Sequence, residues 1–225
     1  MQQNCFPDVY PVMRTLFACL FLLSALFGSS SASAQSSALV NDSNYIYRSM
    51  QEARLYPERV FRLNLSKQRL DSIPSEIFSF TNLRELDLSR NRIDSLPAEI
   101  GNLVFLERLN LSNNQLSELP REVGRLRQLI FLGLNRNQIV RLPETIGDLE
   151  QLEVLELWDN ELEDVPDEIS RLQNLKLLEL RGILLTQEQQ TRIDQLVVKS
   201  AKVNMSPSCN CKQDAIRVRI PAVFS

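Results

Sequence analysis

The stretch LRELDLSRNRIDSLPAEIGNLVF, residues 83–105, decides the fold, because most of its positions recur along the chain at a constant step of 23 residues. Leucines two positions apart keep this step in six successive lines, from Leu63 and Leu65 to Leu178 and Leu180. Other columns with the same step hold Asn91, Asn114, Asn137 and Asn160, and Pro74, Pro97, Pro120, Pro143 and Pro166. Self-similarity at such a period indicates a repeat protein whose units bury their apolar residues against their neighbours.

Each column of the repeat has a physical role. The two leucines of L-x-L point to one side of a short strand, and the residues that flank them point to the other side. The asparagine follows the strand, where its amide can donate to and accept from backbone groups that a turn leaves unpaired. Proline and a nearby glutamate then favour the start of a helical turn. Each unit is therefore predicted to be one strand plus one short helical or 3₁₀ segment, with neighbouring strands paired in parallel.

The frame LxxLxLxxNxLxxLPxEIGxLxx resembles the leucine-rich repeat family, and residues 60–185 follow it in six lines. The segment YRSMQEARLYPERVFRLNLS, residues 47–66, looks like the N-terminal cap of secreted bacterial members. The resemblance implies an α/β fold: a curved horseshoe solenoid with parallel strands on the concave face, short helical or 3₁₀ segments on the convex face, and helical caps at both ends. It also implies a protein-binding role, although a fold by itself does not define a partner.

Both ends of the repeat region carry helix signals. Residues 49–52 and 186–189 fit capping boxes, and Pro57 should end the first helix. We therefore divide the chain into a flexible lead and N-terminal cap helix at 35–59, the repeats at 60–185, and a C-terminal cap helix and tail at 186–225. Within the tail, AIRVRI at 215–220 alternates as a half-buried strand does.

The N-terminus has the layout of a secretory signal peptide at residues 1–34. Arg14 precedes an apolar run at 15–27, and small residues at Ala32 and Ala34 follow, which predicts cleavage after Ala34 and a protein that is secreted, periplasmic or at the cell surface. A start at Met13 would give a more compact signal. The alternatives are an uncleaved membrane anchor and a lipid-modified Cys19; after cleavage, no membrane insertion is expected.

Composition excludes several classes of function. The net charge of −3 gives no basic excess for nucleic acid, and the absence of histidine removes histidine-activated nucleophiles and most metal sites. The strongest catalytic candidate is the pair Glu156 and Glu179 in one column of adjacent strands, but charged columns are usually solvated faces. We expect no enzymatic activity, no cofactor and no metal. Cys209 and Cys211 are either incidental thiols or a site for an intermolecular disulfide or a metal contact.

The concave face changes character halfway along the repeats. Its first three lines are polar, whereas the later lines hold large apolar residues, including the only tryptophan of the chain at a position where earlier lines have serine. Gly133 is expected to leave a dip among them. Exposed apolar patches with charged margins commonly mark contact sites. The predicted partner-binding residues are Phe131, Val154, Trp158 and Leu177, with Arg136, Asp159 and Arg181 as a polar rim. The alternative is that these apolar residues only satisfy strand preference.

These features predict a secreted, non-enzymatic recognition or adhesion module that binds a protein partner on the concave face. One alternative is an intracellular signalling scaffold, because the L-P-x-E-I-G style of repeat is similar to that of repeat proteins acting with small GTPases. A second alternative is glycan binding through Phe131 and Trp158, whose rings could stack on sugars. Self-association through the apolar residues is a further possibility.

Overall fold

A computed structural model of the chain describes residues 43–207. The predicted signal peptide, Cys209, Cys211 and the predicted strand at 215–220 lie outside this range. The described residues form one parallel sheet of eight strands in sequence order. The strands are β1 Ile46–Tyr47, β2 Arg62–Asn64, β3 Glu85–Asp87, β4 Arg108–Asn110, β5 Phe131–Gly133, β6 Val154–Glu156, β7 Leu177–Leu180 and β8 Lys202–Met205.

Neighbouring strands pair residues that lie 23 positions apart, so the sheet register follows the sequence repeat. Leu86 lies beside Leu63 on one side and Leu109 on the other, and the same step continues to Leu178. These leucines and their partners two positions later are buried in a single hydrophobic core that runs along the described repeats. The predicted parallel pairing of one strand per repeat is confirmed.

Short 3₁₀ turns cover the other side of the core. They are Ser75–Ser79, Ala98–Asn102, Arg121–Arg125, Glu144–Asp148 and Asp167–Arg171, and the proline column directly precedes each of them. Two of these turns stack too closely on the next turn for a side chain at their glycine, whereas Phe78 and Ser170 hold the same column in the first and last turns. A Cβ atom on Gly147 would lie 2.4 Å from the carbonyl oxygen of Glu168, and one on Gly124 would lie 2.6 Å from that of Thr145. The segments that the sequence predicts to be either helical or 3₁₀ are 3₁₀ turns in the structure.

The asparagine column forms a hydrogen-bonded ladder between repeats. The Asn137 Nδ2 group donates to the carbonyl oxygen of Leu134 in its own repeat at 2.8 Å and to that of Leu111 in the preceding repeat at 3.1 Å. Its Oδ1 atom accepts from the backbone N–H of Leu116 at 3.1 Å. Asn91, Asn114 and Asn160 make the equivalent bonds, which confirms the role predicted for this column.

The residue before each ladder position has a left-handed backbone. This column has φ between 54° and 60° at Lys67, Arg90, Asn113, Arg136 and Asp159, and 77° at Gly182. Such values are uncommon outside glycine, and their recurrence at every repeat shows that the turn after the strand demands them. The left-handed backbone could not be predicted from the sequence, because five of the six residues are not glycine and they do not share one chemical type.

Helices lie at both ends of the described repeats. Helix α1 spans Met50–Ala53 and helix α2 spans Gln187–Leu196. The predicted capping box at Thr186 and Gln189 is confirmed, with both reciprocal hydrogen bonds present. Only half of the first box forms: the Ser49 hydroxyl accepts from the Glu52 N–H, but the Glu52 carboxylate accepts from Tyr45 and from the Arg48 N–H instead. Ile193 of α2 is fully buried in the core.

Two strands of the sheet were not predicted. β1 pairs with β2, and β8 pairs with β7 over four residues, from Leu177 opposite Lys202 to Leu180 opposite Met205. Both are short, and neither contains the L-x-L pattern. Their positions follow from the open edges that the first and last repeats present.

Candidate functional site

One side of the sheet carries side chains that the core does not use. We call this surface the open sheet face and define it by three columns on β2–β7. The first column is Arg62, Glu85, Arg108, Phe131, Val154 and Leu177; the second is Asn64, Asp87, Asn110, Gly133, Glu156 and Glu179; the third is Ser66, Ser89, Ser112, Asn135, Trp158 and Arg181. These residues flank the buried leucines, so the sequence assigned them to this face correctly.

The N-terminal half of the open sheet face is polar, and its groups satisfy one another. Arg62 pairs with Glu85 at 2.7 Å. The Asp87 carboxylate accepts from the Asn64 amide at 3.2 Å and from the backbone N–H of Ser89 at 2.9 Å. Arg62, Asn64, Glu85 and Asp87 line part of a depression of about 250 Å³. The pairing explains why polar side chains can stand in a partly buried row without a ligand.

The C-terminal half brings three predicted site residues together. Phe131 lies opposite Val154, and Val154 lies opposite Leu177, so they form a continuous apolar row across β5, β6 and β7. Each is half-buried. The Arg108 guanidinium lies 4.5 Å from the centroid of the Phe131 ring and shields part of this aromatic surface. We refer to Phe131, Val154 and Leu177 as the apolar row.

Trp158 belongs to the third column and is separated from the apolar row by the second. The Arg136 guanidinium lies 4.7 Å from the Trp158 ring centroid, and it also approaches Asp159 at 3.6 Å. The predicted rim residues Arg136 and Asp159 therefore stand beside Trp158. Glu156 lies between Val154 and Trp158 on the same side of the strand, and the single apolar patch that joins Trp158 to the apolar row stays a prediction.

The dip expected at Gly133 is absent. Gly133 is buried, and a Cβ atom there would lie 3.0 Å from Cε1 of Phe131 and 3.0 Å from Oδ1 of Asn110. The Phe131 ring edge therefore approaches the place where a side chain would stand. A small residue is needed at this point because an aromatic neighbour occupies its volume.

Arg181, the third predicted rim residue, is anchored rather than free. Its Nε atom lies 2.8 Å from Oε2 of Glu179, whose side chain is 9% exposed. The Asn204 amide of β8 also donates to the Glu179 carboxylate. β8 thus completes the site, and sequence reasoning missed Asn204 because it missed the strand.

The other acidic residue of this pair, Glu156, has a different environment. The structure places no hydrogen-bond donor and no cation within bonding distance of its carboxylate among residues 43–207. Burial raises the pKa of Glu156, and the charge of Glu179 on the next strand raises it further, while Arg108 acts in the opposite direction. The two carboxylates thus differ: that of Glu179 accepts from Arg181 and Asn204, whereas that of Glu156 has no hydrogen-bond donor within the described residues.

Within the described residues there is no group of three or more His, Cys, Asp or Glu side chains arranged to hold a metal ion. Over the same range, no helix combines the length and apolar character needed to cross a membrane. The open sheet face offers apolar surface, guanidinium groups stacked on two rings, and the carboxylate of Glu156.

The sheet, the 3₁₀ turns and the asparagine ladder define a parallel-strand repeat solenoid. A family model described as "Leucine-rich repeat region" matches residues 54–202, which is more than half of the chain. The chain belongs to the leucine-rich repeat family. A comparison with curated protein sequences found no match.

Solved structures with this architecture come from bacteria and plants. A leucine-rich repeat protein of Leptospira interrogans aligns with 29% identity and a TM-score of 0.58 over 74% of this chain and 49% of its own. An internalin of Listeria monocytogenes aligns with 22% identity and a TM-score of 0.57 over 71% and 46%. The ectodomain of an Arabidopsis thaliana receptor kinase, in complex with Casparian strip integrity factor 2, aligns with 26% identity and a TM-score of 0.53 over 66% and 21%.

The present chain thus spans about half the length of the bacterial proteins that it resembles. Repeats of this family commonly mediate protein–protein recognition, and their fold is generally a non-enzymatic recognition domain.

Proposed function

We propose that this protein is a secreted, non-enzymatic recognition or adhesion module that binds a protein partner on the open sheet face. The observation that carries the proposal is the apolar row, which stands in register across three strands on a face where the fold needs no apolar side chain. The opposite side of the same strands already supplies the core. An apolar centre with polar and charged residues at its rim is typical of a contact surface.

The binding set is Phe131, Val154, Leu177 and Trp158, with Arg136, Asp159 and Arg181 at its margin. The apolar row supplies contact area, and Trp158 supplies a large ring already flanked by a cation. Truncation of a central aromatic anchor costs about 2 kcal/mol or more in many interfaces. Trp158→Ala should therefore weaken binding about 30-fold, which is the corresponding change in Kd.

Site-specific photocrosslinking tests the binding face in the intact chain. A photoreactive residue placed at Val154 should capture a partner in the producing cell or its surroundings, whereas the same residue placed at Phe105 should not. Phe105 is the matched control because it is 47% exposed but lies outside the strands. Trp158→Ala should strongly reduce the yield of the Val154 adduct, in line with the weaker binding expected of this variant. Equal adducts from both positions, or none from Val154, would contradict the proposal, and an adduct of twice the chain mass would identify self-association.

Secretion is tested separately. The apolar run at 15–27 and the small residues at Ala32 and Ala34 support export with cleavage after Ala34. N-terminal sequencing of the mature protein, recovered outside the cytoplasm, should begin at Gln35. Recovery of uncleaved chain in the cytoplasm alone would favour the intracellular scaffold instead.

A further inference from the structure

The acidic residues of the open sheet face fall into two groups. Glu85 is paired with Arg62, Asp87 accepts hydrogen bonds from Asn64 and Ser89, and Glu179 is held by Arg181 and Asn204. Within residues 43–207, the remaining carboxylate of this face, that of Glu156, receives no hydrogen bond and no ion pair. It therefore stands apart from every other acid on the face.

The position of Glu156 makes this isolation unfavourable. On one neighbouring strand its partner is Gly133, which has no side chain, and on the other it is Glu179, which carries the same charge. Like charges directly opposite each other destabilise a sheet. Burial adds to the cost, because a half-buried carboxylate loses part of its hydration without gaining a donor. The raised pKa of Glu156 reflects the same two causes.

The rings on either side of Glu156 already stack against guanidinium groups. Arg108 lies over Phe131 at 4.5 Å and Arg136 lies over Trp158 at 4.7 Å. A cation over an aromatic face is attracted by the electron-rich ring, and arginine is the usual participant. The surface around Glu156 thus combines one unpaired negative charge with two aromatic side chains whose environment suits planar cations.

We propose that Glu156 is the specificity-determining residue of the open sheet face and receives an arginine side chain of the protein partner. The inference rests on the proposed function, and charge complementarity identifies the occupant: a partner segment that presents arginine. Arginine fits better than lysine because its planar group can fork onto a carboxylate and stack on an aromatic ring at the same time. The partner's guanidinium would supply the hydrogen-bond donors that this position lacks and would add a positive charge to that of Arg108.

A defined peptide tests the proposal on the full chain. The probe is acetyl-Gly-Arg-Gly-Arg-Gly-amide, and its neutral control has citrulline in place of arginine. Calorimetry gives the affinity, and the fluorescence of Trp158 reports the location, because it is the only tryptophan in the sequence. We expect saturable binding of the arginine peptide that changes Trp158 emission, and weaker binding of the citrulline peptide by about fivefold or more.

Two charge-matched variants locate the effect. Glu156→Gln should weaken binding of the arginine peptide about fivefold and leave the citrulline peptide unaffected. Glu99→Gln changes the net charge equally but lies in an exposed position of a 3₁₀ turn, and it should bind like the wild type. Equal affinity for the two peptides, no binding of either, or equal effects of the two substitutions would overturn the proposal.

The peptide and crosslinking results separate the two proposals. If the arginine peptide fails to bind while Val154 still gives a partner adduct, the open sheet face remains the binding surface and the role of Glu156 is rejected. If the peptide binds but Val154 gives no adduct, the proposed function fails, and with it the assignment of the cation to a protein partner.

Discussion

Removal of one rung of the asparagine ladder should cost a large part of the stability of the chain. Asn137→Ala removes three hydrogen bonds of 2.8–3.1 Å, one accepted from the Leu116 N–H and two donated to the carbonyl oxygens of Leu111 and Leu134, besides a longer one to Asn135. The Leu116 N–H is left unpaired inside the core, which costs about 1–3 kcal/mol. Each carbonyl keeps a second amide, from Asn114 or Asn160, so those two losses are nearer to about 0.5–1 kcal/mol each. The expected total is about 3 kcal/mol.

Urea unfolding followed by circular dichroism measures this loss, and Trp158 fluorescence gives a second probe of the same transition. Asn102→Ala is the matched control, because Asn102 is exposed at the end of a 3₁₀ turn and should change the unfolding free energy by less than about 0.5 kcal/mol. A loss for Asn137→Ala no larger than that of the control would refute the view that the ladder stabilises the stack.

The last rung should be more sensitive than Asn137. The carbonyl oxygen of Leu157 accepts from Asn160 at 2.7 Å, and the next position of the column is Ile183, which cannot replace that donor. Asn160→Ala should therefore cost about 1 kcal/mol more than Asn137→Ala. The same unfolding experiment decides the order, and equal losses would contradict it.

Three further substitutions test other features of the fold. Glu156→Gln should stabilise the protein by about 0.2–1 kcal/mol at pH 7, because it removes the like-charge contact with Glu179. Since the folded state raises the pKa of Glu156, the contribution of this group to stability is fully present below its ordinary pKa and is lost as pH rises through the raised value. Urea titrations at several pH values should therefore show the benefit of the variant vanishing in acid. Gly147→Ala should cost about 1–3 kcal/mol, because its Cβ atom would lie 2.4 Å from the Glu168 carbonyl oxygen, and thermal unfolding should show a lower Tm. Arg90→Gly should be neutral or stabilising by up to about 1 kcal/mol, because Arg90 has a φ of 57°; a clear loss of stability in the same assay would contradict the strain argument.

The repeat columns were predictable because each keeps its residue type at a constant step along the sequence. The leucine pair fixes a strand face, and the asparagine fixes the hydrogen bonds of the turn, so the sheet register follows from the step between lines. β1 and β8 were not predictable in the same way. β1 and β8 join the sheet because the terminal repeat strands have unpaired backbone groups. No side-chain pattern in β1 or β8 indicates this pairing.

The candidate site was predictable in its membership but not in its arrangement. The face of each residue follows from strand alternation, which predicts that Phe131 and Trp158 lie on the open sheet face. Which groups pair depends on side-chain conformations that a linear pattern does not contain. The stacking of Arg108 on Phe131 therefore appeared only in the structure. The same is true of the contrast between Glu179, which Asn204 and Arg181 hold, and its unpaired neighbour on β6.

The amide ladder also bears on how such a chain can change its length. Every rung joins one repeat only to the repeat before it, so excision of one whole unit would bring together two surfaces that already fit. An in-frame duplication or loss of a unit then keeps the fold and changes its stability by the contribution of one repeat and one interface, while it changes the distance between Arg108 and the repeat that holds Glu156 and Trp158. The spacing of side chains on the open sheet face can therefore change in steps of one repeat.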